Sequence, residues 1–216
     1  MLILLIVIIV ANSRTRSSSA ESVIFRDDFS TRANGWDDAG SKRAGGHYHN
    51  GAYRIYAEVA EDGRDEGGAP KSASSVYPSA PLKVSIEVEA QRLAGAQDTW
   101  YGIVCRADSH SDLNYVFLVG DGYAEIGKAD ASGYHQLKDV ETSALDADAK
   151  NSLDADCVGD EGSMYLNLYV NNKLVVEWTD DADPLPNGTV GLFVATGPKA
   201  KTAIEAEFDN FAVTQL

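Results

Sequence analysis

Residues 164–178 read Met-Tyr-Leu-Asn-Leu-Tyr-Val-Asn-Asn-Lys-Leu-Val-Val-Glu-Trp, and this stretch decides the fold. Met164, Leu166, Leu168 and Val170 alternate with Tyr165, Asn167 and Tyr169, and beyond two asparagines Leu174, Val176 and Trp178 alternate with Val175 and Glu177. A period of two turns one set of side chains to a core and the other to water, as in half-buried strands. Asn171 and Asn172 tolerate positive φ better than other non-glycine residues, which suits the tight primed turn between paired strands. The stretch is therefore a β-hairpin.

The same pattern extends in both directions. Residues 82–90 show the cleanest alternation, with one apolar and one charged face, so one side of that strand lies on the core. Further strands are expected at 23–29, 52–57, 100–107, 114–119, 123–128, 134–140, 153–158, 189–196 and 203–214. They are punctuated by Asn50-Gly51, Gly120-Asp121-Gly122, Ser132-Gly133 and Pro184-Leu185-Pro186-Asn187-Gly188. In the last strand Ile204, Ala206 and Phe208 have one parity and Phe211 and Val213 the other, which predicts a bulge at Asp209-Asn210. Residues 30–50 read as an irregular connection pinned by Trp36, residues 61–75 as an exposed loop, and residues 142–151 as the one weak helix candidate. About eleven short strands with turn-separated spacing predict an all-β fold, a two-sheet antiparallel β-sandwich of the jelly-roll kind. At 216 residues, one such domain accounts for residues 23–216.

A formal charge of −15, from 33 acidic against 18 basic side chains, repels phosphate backbones and anionic membrane surfaces, so no nucleic-acid partner is expected. Met1 to Ala11 is almost entirely Leu, Ile and Val, and a polar, serine-rich run follows it. About ten apolar residues fall short of the roughly 20 that span a bilayer but fit the apolar region of a signal peptide. Ser18 and Ala20 are small, as a cleavage site requires, although a charged start is missing and Arg14 and Arg16 lie late. Residues 1–22 are thus a signal peptide or the remnant of a membrane anchor, followed by a linker, and the chain is expected to be exported. Membrane contact is expected only through that anchor. Cys105 and Cys157 both fall on apolar faces of their strands; in an oxidising compartment they form one disulfide, and otherwise two buried thiols.

Catalytic patterns are scarce. The four histidines lack zinc-site spacing, and neither a Gly-x-Ser-x-Gly elbow nor a phosphate-cradling glycine loop is present. Glu205, Glu207 and Asp209 have the one-face spacing that a glycosidase carboxylate pair needs, as do Glu87 and Glu89, but both sets read as solvent faces. Aromatic side chains are the more pointed feature. Trp100, Tyr115, Tyr123, Tyr134 and His135 fall on or beside the middle strands, and the CH face of a sugar stacks on such rings while its hydroxyls seek polar neighbours. These five are the expected ligand-binding residues for a glycan or another cell-surface ligand.

Several short motifs carry a family resemblance: Phe25-Arg26-Asp27-Asp28-Phe29-Ser30 with Gly35-Trp36, Asn50-Gly51-Ala52-Tyr53-Arg54-Ile55, Tyr101-Gly102-Ile103-Val104-Cys105-Arg106, Asn114-Tyr115 with Asp121-Gly122-Tyr123, Asp156-Cys157-Val158-Gly159, Tyr169-Val170-Asn171-Asn172, Val190-Gly191-Leu192-Phe193 and Phe208-Asp209-Asn210-Phe211-Ala212-Val213. Together they resemble the concanavalin A-like lectin and glucanase superfamily, and more closely its laminin G-like or 3-keto-disaccharide-hydrolase-like bacterial jelly rolls. The resemblance implies secretion and a non-catalytic binding module for carbohydrate, with a glycoside-processing enzyme or a structural ectodomain as alternatives. Such domains often have cysteine where Cys105 and Cys157 lie. The Glu-x-Asp-x-x-Glu signature of the superfamily's glucanases is missing. Jelly rolls commonly pair their first and last strands, which would bring Asp28 and Asp209 together, and a structural calcium ion is expected on those two carboxylates.

Overall fold

The computed structural model describes residues 22–59, 71–77, 80–108 and 113–216, with 71–77 described as backbone alone. The apolar leader, its cleavage site and residues 61–70 of the expected loop lie outside the described residues. Among the described residues every regular element is a strand, and no helix is long and apolar enough to cross a membrane.

The strands form two antiparallel sheets. The nine-stranded sheet runs β13 (Lys173–Asp180), β12 (Ser163–Val170), β11 (Asn151–Asp160), β6 (Lys83–Ala94), β15 (Ile204–Gln215), β4 (Ala52–Ala57), β3 (Ala44–His49) and β2 (Ala39–Gly40), with β1 (Ser22–Asp27) also paired to β15. The six-stranded sheet runs β10 (Gly133–Glu141), β9 (Tyr123–Asp130), β8 (Leu113–Gly120), β7 (Thr99–Asp108), β14 (Thr189–Thr196) and β5 (Lys71–Tyr77). First and last strands are partners, with Asp27 opposite Phe211.

The 164–178 hairpin forms as its sequence dictates: Asn171 and Asn172 take φ of 50° and 65°, and Leu168 lies opposite Val176 on the inner face. The predicted bulge is present, since the register of β15 against β6 slips between Asp209 and Ala212, and Asn210 has φ 53°. That slip carries both Phe208 and Phe211 into the core, each at most 1% exposed. Between the sheets, Ile55, Ile86, Ile103, Phe117, Ile126, Leu153, Leu166, Leu192 and Phe208 are all fully buried. At one end Phe29, Trp36, Tyr53 and Phe211 pack ring against ring at 5.0–5.5 Å. Buried Asp27 closes that end by accepting from the Phe29 amide (2.8 Å) and the Trp36 indole (2.7 Å).

Cys105 on β7 is bonded to Cys157 on β11, so the disulfide ties one sheet to the other across 52 residues of sequence. Both cysteines are fully buried.

Three expectations are corrected. Residues 30–50 are only partly irregular: β2 and β3 lie within them, and the glycines of β3 hid the strand because they make room for rings. A methyl group on Gly46 would stand 2.8 Å from Tyr53 Cζ, and one on Gly45 would meet the backbone of Gly40 and Ala39 on β2 before the Tyr56 hydroxyl at 3.0 Å. The expected 61–75 loop contains the start of β5, which pairs with β14 through its backbone. Residues 142–151 form no helix. There the fully buried Asn151 accepts from the Asp146 amide (2.9 Å) and donates to the Asp146 and Ala149 carbonyls (2.7 and 3.0 Å), which satisfies the backbone without helical bonds.

Candidate functional site

Residues 101, 103 and 105 of β7 face the core, so 100, 102 and 104 face outward, and the same parity places Val116, Leu118, Tyr123, Glu125, Gly127 and Phe193 on the outer face of the six-stranded sheet. Cross-strand pairing sets them in rows. Asp139, Glu125, Leu118, Gly102 and Phe193 form one row, and Gln136, Gly127, Val116, Val104 and Gly191 the next. On the other side of the first row, Tyr123 lies between Glu141 and Gly120. The centre of this face is apolar and covered, for Val104, Val116, Leu118 and Phe193 are at most 6% exposed, with Trp100, Ala107 and Ala195 packed against them.

Two rings lie over glycines on this face. Tyr134 crosses Gly127 so closely that a methyl group there would stand 2.6 Å from its Cζ, and its hydroxyl donates to Glu125. Half of the tyrosine remains exposed. Trp100 overhangs Gly120, where a methyl group would stand 3.2 Å from the indole Cε3, and its Nε1 donates to Asp98 Oδ1 at 3.3 Å. At Gly127 the missing Cβ is what lets the ring lie down, whereas at Gly120 it first makes room for the Thr99 carbonyl oxygen and only then for the indole; in both cases a carboxylate fixes the ring's polar end.

Glu125 is the buried acid of the face, at 7% exposure, and it also accepts from Gln136 Nε2 at 3.2 Å. Burial pushes its carboxyl above the usual carboxylate range; the Tyr134 hydrogen bond opposes the rise, and the charges of Asp139 and Asp98 add to it. The Tyr134 hydroxyl is pushed up as well, first by burial and then by Glu125, so it remains the donor of the pair.

Of the five aromatic and imidazole residues expected to bind ligand, Trp100, Tyr123 and Tyr134 share this outer face. Tyr115 does not. It has core parity, is fully buried, donates to Asp180 Oδ2 at 2.6 Å and accepts from the Leu185 amide at 3.0 Å, so it belongs to the frame. Lys128 joins that group at 2.8 Å from Asp180. His135 follows Tyr134 and so points to the opposite side of β10, where its Nε2 meets Ser132 Oγ at 2.7 Å and Asp130 at 3.2 Å. Glu125 and Gln136 have no local sequence signal that marks them as a site. The alternation of β9 around Ala124 and Ile126 puts Glu125 outward, but only the pairing with β10 shows that Tyr134 and Gln136 cover it.

Glu207, Glu89 and Asp209 of the nine-stranded sheet are taken up by surface pairs. Glu207 bonds Arg54 at 2.9 Å, while Glu89 and Asp209 flank Lys150 at 3.3 and 3.1 Å. Beside the paired chain ends a cleft of about 400 Å³ is lined by Arg26, Asp27, Asp28, Thr31, Asn34, Asn210 and Phe211. Its oxygen-bearing lining has the hard donor chemistry that calcium takes. Asp28 belongs to it, whereas Asp209 is not among its lining residues and bonds Lys150. No group of three or more His, Cys, Asp or Glu side chains is placed to hold a metal among the described residues.

No protein-family model matches the chain, and no curated protein does. Solved structures do match. The carbohydrate-binding module CBM66 from Bacillus subtilis superposes with a TM-score of 0.58 at 17% identity, over 82% of this chain and 94% of that one. A Bacillus licheniformis β-glucanase gives 0.58 at 11% identity over 89% and 97%, and a Bacillus subtilis protein of unknown function with a galectin-like fold gives 0.59 at 14% over 90% and 96%. At such identities the likeness is one of fold.

Proposed function

We propose that the outer face of the six-stranded sheet of this concanavalin A-like jelly roll binds carbohydrate, as a non-catalytic module of an exported protein. One observation carries this reading: Trp100 and Tyr134 are each laid over a glycine and held at the polar end by a carboxylate, the arrangement a sugar ring needs for stacking. Rings held in place before binding lose little rotamer freedom on binding. Similarity to a carbohydrate-binding module supports the reading, and the intersheet disulfide supports export. A glycan array probed with the folded protein and with Trp100→Ala tests it. Signals on a glycan class that vanish in the variant, with its thermal melting kept, support the assignment; an array blank for both rejects it.

The glycoside-processing alternative rests on Glu125 and Asp139, which stand opposite each other across β9 and β10. Facing carboxylates of unequal environment are what an acid and a nucleophile require. Hydrolysis of oxidised or ordinary disaccharides that is lost in Glu125→Gln would favour this reading over binding alone.

Calcium is proposed for the cleft at the chain ends, with Asp28 as its carboxylate and Asn210 as a neutral oxygen donor. Asp209 lies outside that set, paired with Lys150 at 3.1 Å.

A further inference from the structure

The geometry points to a glycan bearing a protonated amine as the preferred ligand of the six-stranded sheet's outer face, with the ammonium group seated at Asp139 and Glu125. This inference rests on the carbohydrate-binding reading and narrows it to a chemical class.

The row Asp139, Glu125, Leu118 lies between the two ring-bearing positions. Gly120, under Trp100, and Val116, opposite Gly127 under Tyr134, are four positions apart on β8, roughly 13 Å at the rise of an extended strand. A ligand stacked on both rings is therefore an oligosaccharide, and its central unit passes over the carboxylates. Asp139 is exposed and Glu125 lies opposite it, capped by Tyr134 and Gln136. One carboxylate oxygen of Glu125 accepts from Tyr134 and the other from Gln136, so each keeps a second lone pair to spare.

The charges around this row are negative. Asp98 lies close enough to act on Glu125, and Glu141 ends the neighbouring row. Arg92, a cation near this end of the face, is already bonded to Asp121 at 3.1 Å. Lys138 has inward parity opposite Ile126, and Lys128 is buried with Asp180 on the core side. Exposed Lys199, whose backbone amide bonds Asp98 Oδ2 at 2.7 Å, stands at the Trp100 end, but the row itself has no Lys or Arg, so an ammonium group there would meet two carboxylates between two aromatic rims. Rings flanking an acid favour a cation through their negative faces as well. A neutral sugar would leave Glu125, the buried acid of the pair, without a counter-charge, and unpaired buried charge is costly.

The test compares the trisaccharide of glucosamine with its N-acetylated counterpart and with a uronic acid trisaccharide, by calorimetry at a pH where the amine is protonated. The amine form is expected to bind at least about tenfold tighter than the acetylated form, with no binding of the acidic one. Glu125→Gln and Asp139→Asn should each bring the ratio of amine to acetylated affinity, measured within the same variant, close to one, and Trp100→Ala should weaken both ligands together. Gln in place of Glu125 retains an acceptor for Tyr134, and circular dichroism would verify the fold. Glu87→Gln, on the opposite sheet, controls for overall negative charge. Equal affinity for amine and acetyl forms overturns the inference and leaves the carbohydrate reading intact. So does a preference that survives the double change at Glu125 and Asp139, or one that Glu87→Gln also removes. Failure to bind any of the three, together with a blank glycan array, overturns the carbohydrate reading itself.

Discussion

Tyr134 donates its hydroxyl to Glu125 across Gly127, so one hydrogen bond and one missing side chain fix the pose of a half-exposed ring. Gly127→Ala should therefore act on binding as Tyr134→Ala does. The added methyl would press on the ring, and overpacking of this kind costs about 1–3 kcal/mol where neighbours yield poorly. Titration with a glycan ligand should show affinity down by about tenfold in both variants. Unchanged affinity in Gly127→Ala would remove the platform from the account.

The buried acid also gives a pH signature. The Glu125 carboxyl is raised in the folded state, so the folded protein holds this proton more tightly than the unfolded chain does. Its ionisation penalises folding: the penalty is absent below the unfolded carboxylate range and grows as pH climbs through the raised folded value. Urea denaturation of parent and Glu125→Gln across the acidic to neutral range should show the variant gaining relative stability as pH rises. Parallel profiles would contradict this environment for Glu125.

Tyr115 provides the opposite control. Tyr115→Phe removes the donor to Asp180 and the acceptor for the Leu185 amide, leaving buried polar groups short of partners at a cost of about 1–3 kcal/mol. Melting should fall while glycan affinity stays as in the parent. A loss of affinity at full stability would return this residue to the binding surface.

Calcium is tested by melting. Binding to the folded state alone raises the midpoint as calcium is added. The shift is expected in the parent, to be lost in Asp28→Asn, and to survive largely in Asp209→Ala. Coincident curves in chelator and millimolar calcium for the parent would eliminate the ion.

Most of the sandwich is legible because its strands obey a period of two and its turns use asparagine and glycine where φ is positive; even the bulge at Asp209 and Asn210 follows from the parity change between Phe208 and Phe211. What stayed hidden lacks a large-residue pattern. The Gly45-Gly46 pair of β3 looks like loop until Tyr53 and Tyr56 are seen to cover it, and the small residues of β5 pair through backbone alone. At the site, sequence identifies aromatic residues but not which side of a sheet is free. Tyr115 and Tyr123 flank the same hairpin, yet their opposite parity puts one in the core and the other 40% exposed. Glu125 depends on a partner strand whose register slips between Gln136 and Lys138, which no local pattern records.

Removing the disulfide should lower stability by about 4 kcal/mol in the chain-entropy model for a loop of this size, measured by urea denaturation of the Cys105→Ala/Cys157→Ala protein. Two titratable thiols in the denatured, unreduced parent would contradict the bridge.

The bond between Cys105 and Cys157 also divides the chain into stretches that a protease cut affects differently. A single nick at the exposed Ser132-Gly133 turn falls inside the closed loop, so both pieces stay covalently attached and migrate as one species until reductant is added. A nick at the Glu161-Gly162 turn falls outside it and frees the C-terminal strands β12 to β15 as soon as the fold is lost. The strands bearing Tyr123, Glu125 and Tyr134 are thus the ones whose severed ends remain leashed to the rest.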